Sequence, residues 1–321
     1  MNRAAQALLA RAQGCLLGQL CGDALGSAAE FRVVDDVRRE PPEWPRHIVA
    51  SHSFVPVIGG PTVPGQPTDD SEMALALARS LLTRGTFDHP VVREAYKAWL
   101  ATGPFDYGMT IRDALTGKFS PASEANGALM RVSPLGIFGA RHDLNDVARW
   151  AREDAAITHI NPVCGDASAL YAVAIAEVIR DGLPAREVYD RLVERARAMK
   201  VHKTLMWAVT QAATEPPRDY VTHMGHVVIA LHNALWQLLY ATTLEDGVVE
   251  TVLQGGDTDT NAAIAGALLG AVHGREAIPT QWEETVLNCR PEEGTPGVHK
   301  PRPRDYWPVD ALELASKLVG E

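Results

Sequence analysis

The chain has 321 residues, 46% of them hydrophobic and 22% charged, which is enough for one large domain or two ordinary ones. Forty acidic against 30 basic residues leave a formal net charge of -10. That excludes the broad basic footprint of a nucleic-acid-binding protein and admits only a small anionic ligand in a locally positive cleft. No internal repeat, low-complexity tract or linker divides the sequence, so a single domain over residues 1–321 is expected. The four cysteines, Cys15, Cys21, Cys164 and Cys289, have neither CxxC spacing nor histidines placed to complete a zinc set. Reduced thiols in a cytoplasmic protein account for them.

Helical patterning begins at once, over residues 4–28. This stretch superficially resembles a secretory signal, but Arg11 and Gln13 interrupt its apolar run and Asp23 falls where cleavage would start. It carries Gly14, Gly18, Gly22 and Gly26 at four-residue intervals and is apolar on nearly every face, the mark of a buried helix packed closely on a neighbour. Residues 41–67 are rich in Pro and Gly and are expected to form a loop along the rim of a site. Helices are then predicted over 71–84 and 88–102, followed by a second irregular stretch, 103–125, and a helix over 126–139. Further helices are read over 143–158, capped by Asp143, over 165–182, closed by Gly182, and over 185–200, opened by Pro184. The remainder, 203–214, 224–243, 258–273 and 309–319, is helical too. Period-2 alternation is nearly absent, so the fold class is all-α. No run approaches the length needed to cross a bilayer, and no membrane partner is expected.

Two short acidic clusters stand almost two hundred residues apart and read alike: Thr68-Asp69-Asp70-Ser71 and Asp257-Thr258-Asp259-Thr260. Each opens directly onto an apolar, alanine-rich helix. Capping alone explains hydroxyl and Asp side chains at such places, but capping needs one oxygen and each cluster supplies several. Gly255-Gly256 before the second cluster lets the backbone turn sharply and leaves room for a ligand. If the fold brought the clusters together, each close like-charged pair would cost roughly 4 kcal/mol at 4 Å in an effective dielectric near 20. Chains that build such a cluster hold cations in it, and hard oxygen donors select magnesium, manganese or calcium.

These residues also carry a resemblance. The chain resembles the ADP-ribosylglycohydrolases, the group that includes the dinitrogen reductase-activating glycohydrolase and the ADP-ribosylarginine hydrolases. The likeness runs through Gly18-Gln19-Leu20-Cys21-Gly22-Asp23-Ala24-Leu25-Gly26, Glu30-Phe31, Thr68-Asp69-Asp70-Ser71-Glu72-Met73 and Asn126-Gly127-Ala128-Leu129-Met130-Arg131-Val132-Ser133-Pro134. It continues in Thr158-His159, Gly255-Gly256-Asp257-Thr258-Asp259-Thr260-Asn261-Ala262-Ala263 and Tyr306-Trp307-Pro308. Ser71 stands where many members have threonine.

The resemblance implies a compact, orthogonal multi-helix domain with a central cleft and two Mg2+ or Mn2+ ions. Thr68, Asp69, Asp70, Asp257, Asp259 and Thr260 would be the metal ligands. Glu30 is implied as the acid or leaving-group contact, with Asp70 or Asp259 accepting the proton of a water. Asn126, Gly127, Met130, His159 and Gly256 would bind the substrate, a helix start at 126 offering free N–H groups to phosphate. The implied reaction is hydrolysis of a glycosidic bond through an oxocarbenium-like state, acting as a monomer on an ADP-ribosylated protein or an ADP-ribose-like small molecule. Arginine is the favoured leaving group and serine or O-acetyl the alternatives. A catalytically silent, crystallin-like ADP-ribose-binding relative and a phosphohydrolase of the pyrophosphate are the competing readings. Arg131 is read either as a phosphate partner or as tied to a structural carboxylate. Tyr107, Phe105 and Trp44 are candidates to stack on adenine, and His223, His226 and His232 have only partial zinc-ligand spacing.

Overall fold

A computed structural model of the chain describes residues 3–37, 44–50 and 61–321. Among these residues there are fifteen α-helices and no strand, and β-bridging is limited to two isolated antiparallel bridges, Arg32 with Gly256 and Ala125 with His226. In chain order the helices are α1 (Arg3–Gly26), α2 (Val34–Val37), α3 (Asp69–Arg84), α4 (His89–Ala101), α5 (Met109–Leu115), α6 (Ser133–Gly139), α7 (Leu144–Ala156) and α8 (Pro162–Asp181). Then follow α9 (Ala185–Met199), α10 (Lys203–Gln211), α11 (Val227–Tyr240), α12 (Leu244–Val252), α13 (Thr258–His273), α14 (Thr280–Leu287) and α15 (Ala311–Leu318). The all-α expectation is met.

Several boundaries differ from the sequence reading, each for a local reason. The helix expected over 126–139 is only α6, preceded by turns. Pro134 has no N–H for the carbonyl of Met130 and its ring would crowd it; that carbonyl instead accepts from Gln19 Nε2 at 3.0 Å. The helix expected over 224–243 stops at Tyr240, and Thr243 then caps the separate α12 by accepting from the Asp246 N–H at 3.0 Å. Asp143 and Gly182 act as anticipated: Asp143 accepts from the Asn145 N–H, and Gly182 closes α8 in the left-handed conformation. The statement about bilayer-spanning length needs correcting at α8. Its 20 residues are apolar enough to pass that test, with a mean hydropathy of 1.4, but 83% of the apolar window is buried inside the protein.

The buried side chains form a connected apolar cluster that draws on α1, α3, α6, α8, α11 and α13. At its centre α1 and α13 run antiparallel with their backbones in contact. A Cβ at Gly18 would lie 2.3 Å from the carbonyl oxygen of Gly266, and one at Gly22 would lie 2.2 Å from that of Ala262. Gly14 meets Gly270 in the same way, and Gly26 meets Thr258 and Asp259. The four-residue spacing lines these positions on one face of α1, so the glycines seen in the sequence form a seam that fixes both the separation and the register of the two helices. The stretch that looked like a signal is therefore the core helix.

Gly18→Ala should destabilise the protein by about 2–4 kcal/mol, because the clash is with backbone that cannot rotate away. Gly165→Ala, whose Cβ would meet nothing nearer than 3.6 Å, should be neutral or stabilising. Urea midpoints of the two variants at unchanged slope would check the contrast.

Candidate functional site

The two acidic clusters sit at the starts of α3 and α13, and neither is used for capping its own helix. Thr68 is the N-cap of α3, yet its side chain makes no capping bond. Asp23 of α1, fully buried, does that work from outside: its carboxylate accepts from the backbone N–H of Thr68 at 3.1 Å, from that of Ser71 at 3.2 Å and from the Thr68 hydroxyl at 2.8 Å. Asp257 likewise is the N-cap of α13 without a capping bond; its Oδ2 accepts from Asn126 Nδ2 at 2.7 Å. Thr258 ties the start of α13 to α1 by donating to the Gly26 carbonyl at 2.7 Å. Neither N-cap side chain caps its own helix, and of the four aspartates only Asp259 bonds a first-turn amide of its helix, so capping does not account for the clusters.

The clusters converge. Asp70 Oδ2 lies 3.3 Å from the hydroxyls of both Thr68 and Thr260, residues 192 positions apart. The other oxygen of Asp70, Oδ1, is buried with no hydrogen-bond partner. Asp69 accepts from the Gly108 N–H at 3.1 Å, and Asp259 from the Thr260 N–H at 2.9 Å. Oxygens of Glu30, Asp106 and Asp259 all lie within 4.8 Å of one another.

Burial, then mutual repulsion, governs the charge state here. Burial first and Asp106 next push the Asp69 carboxyl well above its ordinary range; for Asp70 the order is burial, then Asp69. Burial and then Glu30 do the same to Asp259, and burial and then Asp106 to Glu30. Asp106 is pushed up to about 7 by burial and then Asp23, while Asp23, raised by burial but held by the Thr68 and Ser71 donors, rises to about 6. Among the described residues no lysine or arginine lines the cleft. A dense set of carboxylate and hydroxyl oxygens, one of them orphaned, with no fixed positive charge nearby, fits hard divalent cations.

Two backbone features deliver Glu30 and Asp257. Past α1 the chain turns through Phe31, which holds a positive φ of 60°, a conformation costing a non-glycine residue roughly 1–2 kcal/mol. Its N–H donates to the Gly256 carbonyl at 2.7 Å, and the Gly256 N–H donates to the Arg32 carbonyl at 2.8 Å. Gly255 and Gly256 both have positive φ, 70° and 73°, and a Cβ at Gly256 would lie 2.0 Å from the Tyr220 carbonyl oxygen. The sharp turn read from this pair is present. The space at Gly256, however, is filled by Tyr220 backbone rather than left for a ligand, and Gly256 does not line the cleft.

The cleft, about 400 Å³, is lined by the acidic groups Glu30, Asp69, Asp106, Asp257 and Asp259 with Thr260, and by Asn126, Gly127, Met130 and His159, Asn126 being bonded to Asp257. Thr68 and Asp70 do not line it. Tyr107 lines the cleft, whereas Phe105 and Trp44 do not; Trp44 packs against the core. Asn126 does not start a helix; its carbonyl accepts from the N–H groups of Leu129 and Met130 in a turn, so the expected helix-start anion site is absent at 126. Arg131 resolves to the structural alternative, fully buried and paired with Asp154 at 3.2 Å. His226 caps α11 by accepting from the Val228 N–H and pairs with Glu124, and His232 meets the Glu215 carbonyl; the expected zinc-type spacing builds no cluster among the described residues. Of the 41–67 loop, residues 44–50 and 61–67 do not line the cleft, and 41–43 and 51–60 lie outside the described residues. Asp106 was missed; its only signal was an acid between two aromatics, Phe105 and Tyr107, in the irregular stretch.

Comparison with known proteins places the chain in a family. Residues 4–314 match the family described as ADP-ribosylglycohydrolase. The chain is 31% identical over 286 residues to the ADP-ribosyl-[dinitrogen reductase] glycohydrolase of Rhodospirillum rubrum, covering 85% of this chain and 88% of that one. It is 29% identical over 299 residues to the ADP-ribosylarginine hydrolase of Pseudomonas putida, covering 87% and 74%. A solved structure described as an ADP-ribosylglycohydrolase-related protein complex superposes with a TM-score of 0.75 at 29% identity, covering 98% of both chains. The chain therefore belongs to the ADP-ribosylglycohydrolase family of hydrolases.

Proposed function

We propose that the cleft takes the ADP-ribosyl group of a modified protein, most directly on arginine, and hydrolyses its glycosidic bond to release ADP-ribose. The observation that carries this reading is the meeting of two sequence-distant acidic clusters in one cleft that is otherwise lined by uncharged groups. Such a cleft suits a ligand that presents ribose hydroxyls to the carboxylates and a nucleotide to the uncharged lining. Thr68, Asp69, Asp70, Asp257, Asp259 and Thr260 would hold magnesium or manganese, which when bound supplies Lewis-acid charge, neutralising the carboxylates and acidifying a water.

The chain's own residues do the rest. Glu30, whose carboxyl burial and then Asp106 push above its ordinary range, would serve as the acid at the leaving group. Asp259 or Asp70 accepts the proton of the attacking water. Asn126 orients Asp257 through its amide, and Asp23 holds the start of α3, from which Asp69 and Asp70 project. Four free, buried thiols support a reducing compartment such as the cytoplasm.

Incubation with arginine-, serine- and O-acetyl-linked ADP-ribose, with products identified by mass, tests the reaction. Free ADP-ribose, fastest from the arginine linkage, is expected; AMP would mean phosphohydrolysis instead, and a faster serine or O-acetyl substrate would replace arginine. Asp259→Ala should abolish turnover, and Glu30→Gln should lower kcat about 10²–10⁴-fold with little change in KM.

The charge cluster also fixes a pH dependence. Carboxylates whose folded-state pKa lies above the unfolded value stabilise the fold while protonated and lose that stability as pH rises through the folded value. For Asp23 and Asp106 that window runs from 3.8 up to about 6 and about 7. Cation-stripped protein should therefore show a falling Tm across it, and added manganese or magnesium should raise Tm more at the upper edge than at the lower. A Tm indifferent to chelator and to cation at both edges would remove the metal site.

A further inference from the structure

In the wall of the cleft stands a histidine with only half its hydrogen bonding complete. His159 is 2% exposed; its Nδ1 lies 2.8 Å from Thr158 Oγ1, and its Nε2 is buried with no partner in the protein. Gly127 runs alongside the ring. A Cβ there would lie 3.0 Å from the ring Cε1 and 3.3 Å from Nε2, so a side chain at 127 would crowd the Nε2 edge, and both residues line the cleft.

The Nδ1 side is closed by a chain of bonds whose direction is set at its far end. A guanidinium only donates. Arg131 Nη1 donates to Thr158 Oγ1 at 2.8 Å and to the Gly127 carbonyl at 3.2 Å, while its other nitrogens hold the Asp154 carboxylate and carbonyl at 3.2 and 2.9 Å. The Tyr96 ring lies 4.4 Å from the guanidinium, so the whole group is fixed. Thr158 thus accepts from Arg131; its oxygen could accept a second time, but its one hydrogen has no acceptor within reach except His159 Nδ1, and a ring protonated there would strand that buried hydrogen, so Nδ1 accepts. An accepting Nδ1 is bare, which in a neutral ring leaves the proton on Nε2. Burial, and after it the Arg131 charge, holds the ring neutral, with its pKa down to about 3.

We propose that Arg131 and Thr158 are positioning residues that lock His159 as the Nε2–H tautomer, making it a fixed neutral donor to a phosphoryl oxygen of the bound nucleotide. The opposite tautomer would aim a lone pair at that oxygen and repel it, so the lock decides the sign of the contact. The acceptor's identity rests on the ADP-ribosyl reading above; the tautomer does not.

Nitrogen-15 NMR of the full chain labelled at histidine reads the tautomer directly, with the His159 signals assigned by their loss in His159→Phe. The wild-type ring should be neutral with the proton on Nε2 in both free and ADP-ribose-bound protein. Thr158→Val keeps the shape but has no hydrogen to give; it should populate the other tautomer and weaken ADP-ribose binding about tenfold by calorimetry. Thr158→Ser should restore both. A wild-type ring that is charged, or protonated on Nδ1, overturns the lock, as does Thr158→Val with unaltered tautomer and affinity. Wild-type protein that shows the Nε2–H ring but binds no ADP-ribose keeps the lock and overturns the nucleotide as its acceptor.

Discussion

The close approach of α1 and α13 is the constraint on which the rest of this structure depends. Their backbones touch along a seam of glycine and alanine, so neither helix can slide or rotate without a collision between main-chain atoms. That fixes the positions of everything at the seam's open end. Asp23 and the exit toward Glu30 belong to α1, while Asp257, Asp259 and Thr260 belong to the start of α13. A side chain in the seam would be accommodated by separation, and separation at this end would pull the carboxylates of the two helices apart. Packing and site geometry are here one requirement, met by residues that take no part in the chemistry.

The same seam forces charge into the core, and the protein manages it unevenly. Asp23 accepts three donors and spends them on aligning α3, so its elevation above ordinary carboxylates is moderate. Asp70 has only the edges of two hydroxyls, and one oxygen has nothing. Leaving a buried acceptor unsatisfied costs about 1–3 kcal/mol, and a protein core gains nothing in return. The contrast with Arg131 is instructive. It too is charged and wholly buried, but four of its five N–H donors are answered, by Asp154, by carbonyls and by Thr158, and its face lies against Tyr96. A fold able to satisfy one buried ion so well has left Asp70 incomplete just behind the acidic lining of the cleft, which is the pattern of a site suited to positive charge.

Much of this was legible in the sequence because it was written in spacing. Glycines four apart on an apolar helix announced the seam, and paired acidic clusters before alanine-rich helices announced their meeting. Capping and ligation could not be told apart there, because whether Asp69 bonds its own helix depends on whether Asp23 already does, and that is a contact across 45 residues or more. Asp106 escaped because an acid in an irregular stretch has no period to read; only the turn that leads into α5 carries it to Glu30 and Asp259. Gly256 was misread for a similar reason. A positive φ was inferable from Gly-Gly, but the occupant of the space beside it, the Tyr220 carbonyl, was not. The helix expected at 126 begins only at Ser133, because Pro134 has no N–H to offer the Met130 carbonyl.

The lining of the cleft finally bears on what kind of ligand it admits. Glu30, Asp69, Asp106, Asp257 and Asp259 would repel an anion unless cations offset them, while Asn126, the Gly127 backbone and a neutral His159 line the same cleft without net charge. The two kinds of group are neighbours, since Asn126 is bonded to Asp257. On the proposed function, a diphosphate would meet the uncharged donors and the ribose the carboxylates, and that choice is what would separate glycosidic cleavage from phosphohydrolysis.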